Sequence, residues 1–483
     1  VGDGQHRHAG PLLTATGTTM AAADDARPAP DASLRDWLGV CAGALGAFMA
    51  TLDMSITNAS LPYIQGEIGA TGTEGTWIST SYLVAETVMI PLTAWLTRLL
   101  GLRRFIGLCS VLFVAFSMWC GVSSTLTEMI VGRAGQGFFG GALIPMAMSL
   151  IALRLPEHQR AAGMALFGMV VVMGPVLGPI LGGWLTEDVG WYWIFFINLP
   201  VGIVLMAMIY IGLEKEPADL HELVNADWLG ITGLSVFLGT LTVILEEGQR
   251  ERWFESEEIR HLGIAMTIGF LMFIAAQFFS SHPLLKFRLI RKRTFFIAVV
   301  MALPMGGGWF ASLYLIPLFL AFIAGYNASA IGDVAMYMGL GSIIAIVAYP
   351  LVAPKIDLRV LILIGLAGYV ISSWMDASLS SDSARDQFLF TQTLRGFGGS
   401  LMFFPLNQIA MTGLAEADIP DASGMFNMTR NLGGSIGIAL TGVILDWRTS
   451  FHTDTLAESL SANSVIAQER VAMLTQGLLP YAG

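Results

Sequence analysis

GRAGQGFFGGALIP, residues 132–145, has an imperfect second copy further along the chain, QTLRGFGGSLMFFP, residues 392–405. In both, an arginine precedes a run of small residues, a bulky apolar stretch and a proline. The stretches that follow also match, AAGMALFGMVVVMGPVLG at 161–178 against ASGMFNMTRNLGGSIG at 422–437, at the same offset of about 260 residues. The repeat indicates two equivalent halves. Internal repeats of this kind are typical of membrane transporters, which bind substrate near the midplane between the repeats.

Composition predicts a membrane protein. Of the 483 residues 54% are hydrophobic and only 13% are charged, whereas soluble domains contain about 25% charged residues. The apolar residues fall in blocks of roughly 18–25, each long enough to cross a bilayer as a helix. Because β-barrel alternation is absent, we predict an all-α polytopic membrane protein. No Cys or His spacing is typical of a metal site, and no basic patch indicates nucleic-acid binding.

Thirteen apolar spans are predicted, and the distribution of Lys and Arg sets their orientation. With a cytoplasmic N-terminus, sixteen of the 25 Lys and Arg residues lie on the cytoplasmic side, six lie on the other side and three lie inside spans. The excess predicts a cytoplasmic N-terminus. The spans are at 37–60, 76–97, 105–122, 127–150, 161–185, 193–213, 228–246, 262–280, 294–320, 329–352, 360–376, 387–413 and 423–445.

The predicted organisation follows from these spans. Residues 1–36 are polar and are expected to form a disordered cytoplasmic tail, in which Met20 is a candidate for the true start. The last segment is too weakly apolar to cross the membrane. The remaining parts are a six-helix bundle at 37–213, a linker with two extra helices at 214–280, a five-helix bundle at 281–445 and a periplasmic segment at 446–483 that ends before a final helix.

Asp53 stands about midway along the first span, in TLDMSITNASLPYI (51–64). A carboxylate at that depth costs about 2.5–3.5 kcal/mol on insertion scales, and burial favours its neutral form. A carboxyl that alternates between its two forms is what proton-coupled transport requires. We therefore interpret Asp53 as the proton carrier; the alternative is a structural carboxylate held by an arginine or by helix N-termini.

Two further charges lie inside spans of the first half. Glu86, in SYLVAETVMIP (81–91), is a second candidate proton site or an attractant for cationic substrates. Its alternative role is that of a partly hydrated side chain without a part in transport. Arg133 stays charged at any useful pH, so it should face the interior beside Asp53, Glu86 or a backbone carbonyl. It could modulate a carboxyl there, and a fixed ion pair is the alternative.

Other polar, basic and aromatic side chains in the spans are candidates for the wall of a substrate cavity. Each has another explanation: snorkelling for Arg430, hydrogen bonds within the bundle for the amides, and packing or lipid contact for the aromatic rings. The candidates are Asn58, Gln136, Phe139, Trp309, Arg395, Phe404, Asn407 and Arg430.

Six segments together carry a resemblance to a known family. They are LDMSITNASLP (52–62), PLTAWLTRLLGLRRF (91–105), RAGQGFFGGALIP (133–145), GPVLGPILGGWL (174–185), WYWIFFINLPVGI (191–203) and NMTRNLGGSIG (427–437). From about residue 37 to 460 the chain resembles the major facilitator superfamily, within it the 14-helix drug:proton antiporters of the DHA2 family, EmrB/QacA type. The resemblance implies the major facilitator fold, two six-helix bundles plus an extra central helix pair, with the last helix missing here.

The segment GPVLGPILGGWL places glycines at every fourth position with prolines between them. Small residues at this spacing let another helix approach closely, and prolines bend a helix; ordinary packing is the alternative. The resemblance implies that this is the antiporter motif of the fifth helix, which seals the halves and favours export. Its residues are Gly174, Pro175, Gly178, Pro179, Gly182 and Gly183.

The loop after the second span departs from the family's pattern. Similar pumps usually read G-x-L-a-D-r-x-G-r, but here Ala94 and Thr97 replace the first glycine and the aspartate. The charge-relay lock attributed to that aspartate therefore cannot be carried over. The residues that keep the pattern are Arg98, Gly101, Arg103 and Arg104.

The resemblance implies export of hydrophobic or amphipathic drugs and toxic compounds by alternating access, driven by the proton gradient without a cofactor. It further implies a cell inner membrane location, small hydrophobic or cationic substrates, an EmrA-type periplasmic adaptor (a membrane fusion protein) and an outer-membrane channel. Proton-coupled uptake or export of a specific metabolite is the alternative, and the glycine motif argues against uptake. A membrane-embedded enzyme is a remote alternative, since the His residues lie in tails and loops and no H-E-x-x-H or Walker motif occurs.

Overall fold

The fold is described from a computed structural model, covering residues 30–280, 282–326, 328–380, 383, 385–459, 468–470 and 472–473. All regular structure in these residues is helical. The long helices are α1 (Leu34–Ile68), α2 (Trp77–Leu100), α3 (Leu102–Val122), α4 (Leu126–Arg154), α5 (Glu157–Val189), α6 (Trp193–Gly212), α7 (Trp228–Glu247), α8 (Glu257–Phe279), α9 (Arg293–Phe322), α10 (Ala328–Val352), α11 (Leu358–Asp376), α12 (Arg385–Met411) and α13 (Ile419–Ser459).

Each predicted span corresponds to one of these helices, so the all-helical, multi-pass prediction is confirmed. By length and apolar composition, eleven of the described helices can cross a membrane. The other two, α12 and α13, are long enough but carry more charged and amide side chains, and they pack inside the bundle against α9, α10 and α11. Short helical turns lie at Gly72–Gly75, His221–Val224, Trp253–Glu255, Phe287–Arg291 and Glu416–Asp418.

Two helix ends differ from the prediction. The first helix begins at Leu34, inside the predicted tail, because Ser33 and Asp36 form a capping box in which each side chain accepts from the other's backbone N–H. The last helix continues to Ser459 rather than ending at 445, since no glycine or proline follows to stop it. The predicted tail up to residue 29, and most of the chain after Ser459, lie outside the described residues.

The helices form two groups joined along two seams. In the first group α1 packs against α4, α5 and α6, and in the second α9 packs against α13 while α12 packs against α10 and α11. The groups meet where α2 contacts α13 and where α5 contacts α10. The predicted extra pair, α7 and α8, packs tightly together, and α7 contacts both α2 and α13. This arrangement leaves the charged residues of α1, α2, α4 and α13 near one another.

The repeat noted in the sequence has a structural counterpart. A Cβ atom at Gly137 of α4 would collide with the backbone oxygen of Tyr82 in α2, and one at Gly396 of α12 would collide with that of Met338 in α10. Glycine is therefore required at both positions because the two backbones touch. In each half the helix that carries the buried arginine is thus pressed against the second helix of its group.

Candidate functional site

Asp53 is fully buried in the first group of helices, and its carboxylate accepts three side-chain hydrogen bonds. Arg133 Nη1 donates to Oδ2 at 2.6 Å, while Gln136 Nε2 and Asn198 Nδ2 donate to Oδ1 at 2.6 and 2.7 Å. The helix spacing explains the pair on α4, because residues three apart share a face. Since Arg133 is also fully buried, the two charges neutralise each other in a charge-assisted pair that excludes water.

The Arg133 guanidinium makes further contacts, although its Nη2 has no hydrogen-bond partner in the described chain. Its Nε donates to the backbone oxygen of Ile78 at 3.3 Å, and its centre lies 4.3 Å from the ring centroid of Tyr82. Asn198 in turn donates to Ser117 Oγ at 2.9 Å. We refer to Asp53, Arg133, Gln136 and Asn198 as the Asp53 cluster. It links α1, α4 and α6, and it shows that Arg133 pairs with Asp53.

Glu86 presents a contrasting environment on α2. It is 6% exposed, and within the described residues no hydrogen bond to its side chain is found. Its charge interacts with that of Arg430 in α13, across the seam between the groups, and also with that of Arg133. A buried carboxylate without a partner is costly, so this position favours a bound proton or a bound cation.

Arg430 lies opposite Glu86 on the second group. In the described part of the chain no acidic side chain lies within 4.0 Å of its guanidinium. The guanidinium donates to Asn431 Oδ1 at 3.0 Å and lies 5.5 Å from the ring centroid of Phe403. Glu86 and Arg430 are thus opposite charges on the two halves that attract without an ion pair. Neutralising either one changes the attraction between the halves.

Arg395, the repeat counterpart of Arg133, pairs with an acid on a different helix. Its Nη2 lies 2.6 Å from Oδ2 of Asp376 at the end of α11, and Nη1 donates to Gln392 Oε1 at 3.2 Å. Two polar atoms of this pair, Arg395 Nε and Asp376 Oδ1, have no hydrogen-bond partner in the described chain. We refer to Arg395, Asp376 and Gln392 as the Arg395 cluster.

A cavity of about 400 Å³ lies beside the Arg395 cluster, between α9 and α11. Its wall is mainly apolar, with Leu315 and Phe319 among its residues, and Asp376 and Arg395 also line it. In the first group the corresponding space between α1 and α3 is filled by α6, which contacts both helices.

The glycine motif on α5 packs within the first group. A Cβ at Gly174 or Gly178 would collide with Thr51 or Ser55 of α1, and Ser55 Oγ donates to the oxygen of Pro175 at 3.3 Å. Gly182 likewise faces α1, Gly183 has open space around it, and the helix continues through Pro179. Contact with the second group comes from the neighbouring Val176, which lies against Gly339 of α10.

The loop motif after α2 takes part in a network of ion pairs that joins the groups. Arg98 Nη1 lies 3.0 and 2.9 Å from the two carboxylate oxygens of Asp421 on α13, and Lys286 Nζ is 2.7 Å from Asp421 Oδ2. Thr97, at the position where the family has its aspartate, donates to the backbone oxygen of Thr93. Asp421 therefore supplies an acid for this loop from the opposite half.

The other residues of this motif serve local structure. Gly101 has a φ of 79°, which favours glycine. The guanidinium of Arg103 lies 4.2 Å from the ring centroid of Tyr210, and Arg104 is exposed. Just beyond, Lys286 and Arg288 bind Asp418; although burial raises its pKa, their hydrogen bonds and charges outweigh burial and lower the pKa of that carboxyl.

The remaining cavity candidates lie at separate places. Phe139 stacks on Phe116 and meets Phe138 edge-to-face, and Asn58 accepts from Ser79 at 2.7 Å. Two of the candidates lie near the seams: Phe404 is buried beside Gly168 of α5, and Asn407 is buried and donates to the oxygen of Phe403. Trp309 packs against Gly399 of α12.

Sequence reasoning missed three residues of these networks. Asn198 lies in the segment WYWIFFINLPVGI (191–203). As one amide in an apolar stretch, it could have been identified from the sequence as a candidate polar contact. Asp376 falls at the predicted end of a span, where an acid is ordinary, and Asp421 precedes one. Only the three-dimensional contacts identify the last two as partners of arginines.

Comparison with known proteins places the chain in a family. A family model described as the Major Facilitator Superfamily matches residues 43–438. The chain belongs to the Major Facilitator Superfamily. This superfamily member is therefore a transporter rather than an enzyme, and the predicted fold and resemblance are confirmed.

Its relatives include proteins named for export and resistance. It is 33% identical to "Colistin resistance protein EmrB" of Acinetobacter baumannii, over 91% of this chain and 86% of that protein. It is 31% identical to "Multidrug export protein EmrB" of Escherichia coli K12, over 89% of this chain and 84% of that protein. These matches support the assignment of this transporter to the EmrB type.

Solved structures share the fold of this transporter. The human organic anion transporter MFSD10 superposes with a TM-score of 0.61 at 14% identity, covering 84% of this chain and 93% of that one. The proton:xylose symporter XylE gives a TM-score of 0.58 at 13% identity, covering 86% and 89%. At such low identity these two likenesses show the fold alone.

Proposed function

We propose that this protein exports hydrophobic or amphipathic drugs and toxic compounds by alternating access, in exchange for protons. The relatives' names support the substrate class, and the observation that carries the coupling is Glu86, a buried carboxylate without a hydrogen-bond partner in the described chain, opposite Arg430 of the other half. The proton gradient is the energy source, and the exchange needs no cofactor.

The proposed cycle uses the two buried carboxylates differently. A proton from outside neutralises Glu86, so its attraction to Arg430 weakens and the halves rearrange to open inward. A substrate, in particular a lipophilic cation, then displaces the proton into the cytoplasm and restores the negative partner of Arg430. The Asp53 cluster holds α1, α4 and α6 as one rigid unit during this exchange, and its ion pair would open only if Asp53 itself took a proton.

Contacts on the N-terminal side support an outward-facing conformation for this structure. Besides the Arg98–Asp421 pair, Ser423 Oγ of α13 donates to the oxygen of Pro145 in α4 at 2.8 Å. Nearby, Asn427 Nδ2 donates to Met148 Sδ at 2.9 Å. We propose that this closed side is cytoplasmic and that the N-terminus lies there, as the Lys and Arg distribution indicates. The proposed membrane is the cell inner membrane.

A periplasmic adaptor of the EmrA type and an outer-membrane channel are part of the proposal. The supporting feature is the outer extension of α13 past residue 445, where Trp447 and Phe451 are 64% and 52% exposed. Exposed apolar side chains on a helix beyond the membrane are typical of a contact surface. A partner with a helix of matching apolar face would cover them.

The test of the function is transport by purified protein in proteoliposomes. We expect an imposed pH gradient to drive movement of a fluorescent lipophilic cation against the proton flow, and an ionophore that collapses the gradient to stop it. Glu86→Gln should abolish gradient-driven flux. Glu257→Gln is the matched control, since Glu257 is a side chain 79% exposed at the start of α8. Cation movement that is independent of the gradient would overturn the proposal.

A further inference from the structure

The outer end of the extra helix α7 is bonded to the first half of the transporter. Glu247, the last residue of α7, is 4% exposed. Its Oε1 accepts from Thr80 Oγ1 of α2 at 2.8 Å and from Thr76 Oγ1 at 3.4 Å, and its other oxygen pairs with Arg250. A carboxylate buried with these donors is a firm attachment between α7 and the outer end of α2.

The same end of α7 is also bonded to the second half. Glu246 accepts from Ser435 Oγ of α13 at 3.4 Å, and Gln249 Nε2 donates to the backbone oxygen of Gly442 at 3.0 Å. A Cβ at Gly442 would collide with the Gln249 side chain. Two adjacent acids, Glu246 and Glu247, therefore form hydrogen bonds with opposite halves.

Contacts along α7 and just after it hold this helix in place. Near the opposite end of α7, Gly233 lets the helix approach α8 at Gly269 until a Cβ at either would lie within 2.5–2.7 Å of the other helix's backbone nitrogen. After α7, Arg252 and Trp253 both have a φ of 55°, a strained conformation for residues other than glycine. Such strain persists only where surrounding contacts fix the backbone, so the outer end of α7 is held by more than its own helix.

We infer that the outer end of α7 is a strut that sets the distance between α2 and α13 on the outer side. Glu246, Glu247 and Gln249 are positioning residues for the proposed alternating access, on which this inference rests. Because both sets of bonds can form together only at one separation of the halves, they stabilise the conformation in which the cytoplasmic side is closed. When the outer side closes, one set must break.

The test measures the outer distance directly, without substrate or gradient. Spin labels are placed at the outer ends of α1 and α9, by Tyr63→Cys and Phe322→Cys, which are 49% and 78% exposed. The native Cys41, Cys109 and Cys120 are replaced by alanine. Distance distributions in nanodiscs are compared for Thr80→Val, which removes the hydroxyl, and for Thr80→Ser, which keeps it.

We expect the wild type to show mainly the long outer distance and Thr80→Val to raise the short-distance population by about threefold to tenfold, the size of one lost buried hydrogen bond. Thr80→Ser should match the wild type. Gln249→Ala combined with Ser435→Ala should produce the same shift from the other half. Turnover should fall in the variants that shift, with a much smaller change in KM.

An unchanged distribution in both Thr80→Val and the Gln249→Ala/Ser435→Ala variant would overturn the inference, since α7 would then be passive packing. If Thr80→Val does not fold, Gly442→Ala provides the second variant, because it displaces only the flexible end of Gln249. The distance readout stands whether or not the protein transports the tested cation. A failure of the strut is therefore distinguishable from a failure of the proposed function.

Discussion

Arg133 and Arg395 occupy corresponding positions in the two halves, and each has an aspartate oxygen at 2.6 Å. Their surroundings differ. In each cluster one guanidinium nitrogen, Nη2 of Arg133 and Nε of Arg395, has no hydrogen-bond partner in the described chain. The carboxylates differ: both oxygens of Asp53 are bonded and Asn198 from α6 completes the set, whereas Oδ1 of Asp376 has no partner there. We call the first cluster sealed, because both oxygens of its carboxylate are bonded, and the second open, because one oxygen of its carboxylate is not.

This comparison distinguishes a charge that is fixed in an ion pair from a charge that can be exchanged. A sealed pair resists change because breaking it leaves two uncompensated charges. Glu86, by contrast, has an opposite charge in range but no bond to give up, so a proton or a cation can bind there without dismantling a network. We therefore propose that Glu86 carries the exchangeable charge and that Asp53 anchors the helices.

The largest effect expected is on stability, at the sealed pair. Asp53→Asn leaves Arg133 buried without a counter-charge, and we expect a loss of about 3–5 kcal/mol. The loss would be seen as reduced folded yield and a lower unfolding temperature in detergent. The double variant Asp53→Asn/Arg133→Met should recover much of the loss. If the double variant is less stable than the single one, the pair is not the structural anchor.

The matching change in the second half should cost less. Asp376→Asn removes an acid whose side chain is 9% exposed and whose Oδ1 is already unbonded. We expect the lowering of the unfolding temperature to be less than half of that in Asp53→Asn, measured under the same detergent conditions. Equal losses at the two sites would contradict the distinction between a sealed and an open cluster.

A smaller effect is expected from the amide that seals the first cluster. Asn198→Ala removes one of three donors to Asp53 and one donor to Ser117, and we expect a loss of about 1–3 kcal/mol. Gln392→Ala, the control in the other half, removes two longer hydrogen bonds, one of 3.2 Å with Arg395 and one of 3.1 Å with Asp376. Thermal unfolding of both variants should rank Asn198→Ala as the more damaging, and the opposite ranking would contradict the comparison.

The smallest effect is expected in Asp418→Asn, just before α13. Its carboxyl, largely buried beside Lys286 and Arg288, has a lowered pKa, so its stabilising contribution is present above the ordinary aspartate pKa and lost as pH falls through the lowered value. We therefore expect unfolding temperatures of wild type and Asp418→Asn to differ slightly near neutral pH and to converge in acid. A difference that grows as pH falls would contradict this sign.

Much of the fold could be predicted because it depends on composition and repetition. Apolar blocks long enough to cross a membrane predict each helix, and the two copies of the arginine motif predict two halves. The sequence also identified Asp53, Glu86 and Arg133 as buried charges, since charges are rare in such spans.

The sequence could not identify the partners of these charges. That Arg133 meets Asp53 while Glu86 faces Arg430 depends on how α1, α2, α4 and α13 pack. The ion pair between Asp421 and Arg98 was missed for the same reason, because the two residues are 323 positions apart in the chain.

The most direct test of the central claim is proton release on substrate binding. Purified protein in weakly buffered detergent is mixed with a lipophilic cation while a pH indicator reports protons, for wild type, Glu86→Gln and the folded Asp53→Asn/Arg133→Met variant. The account predicts release in the wild type, loss of release in Glu86→Gln, and release retained in the double variant. Release that persists in Glu86→Gln and disappears in the double variant would contradict it and would return the exchangeable proton to Asp53.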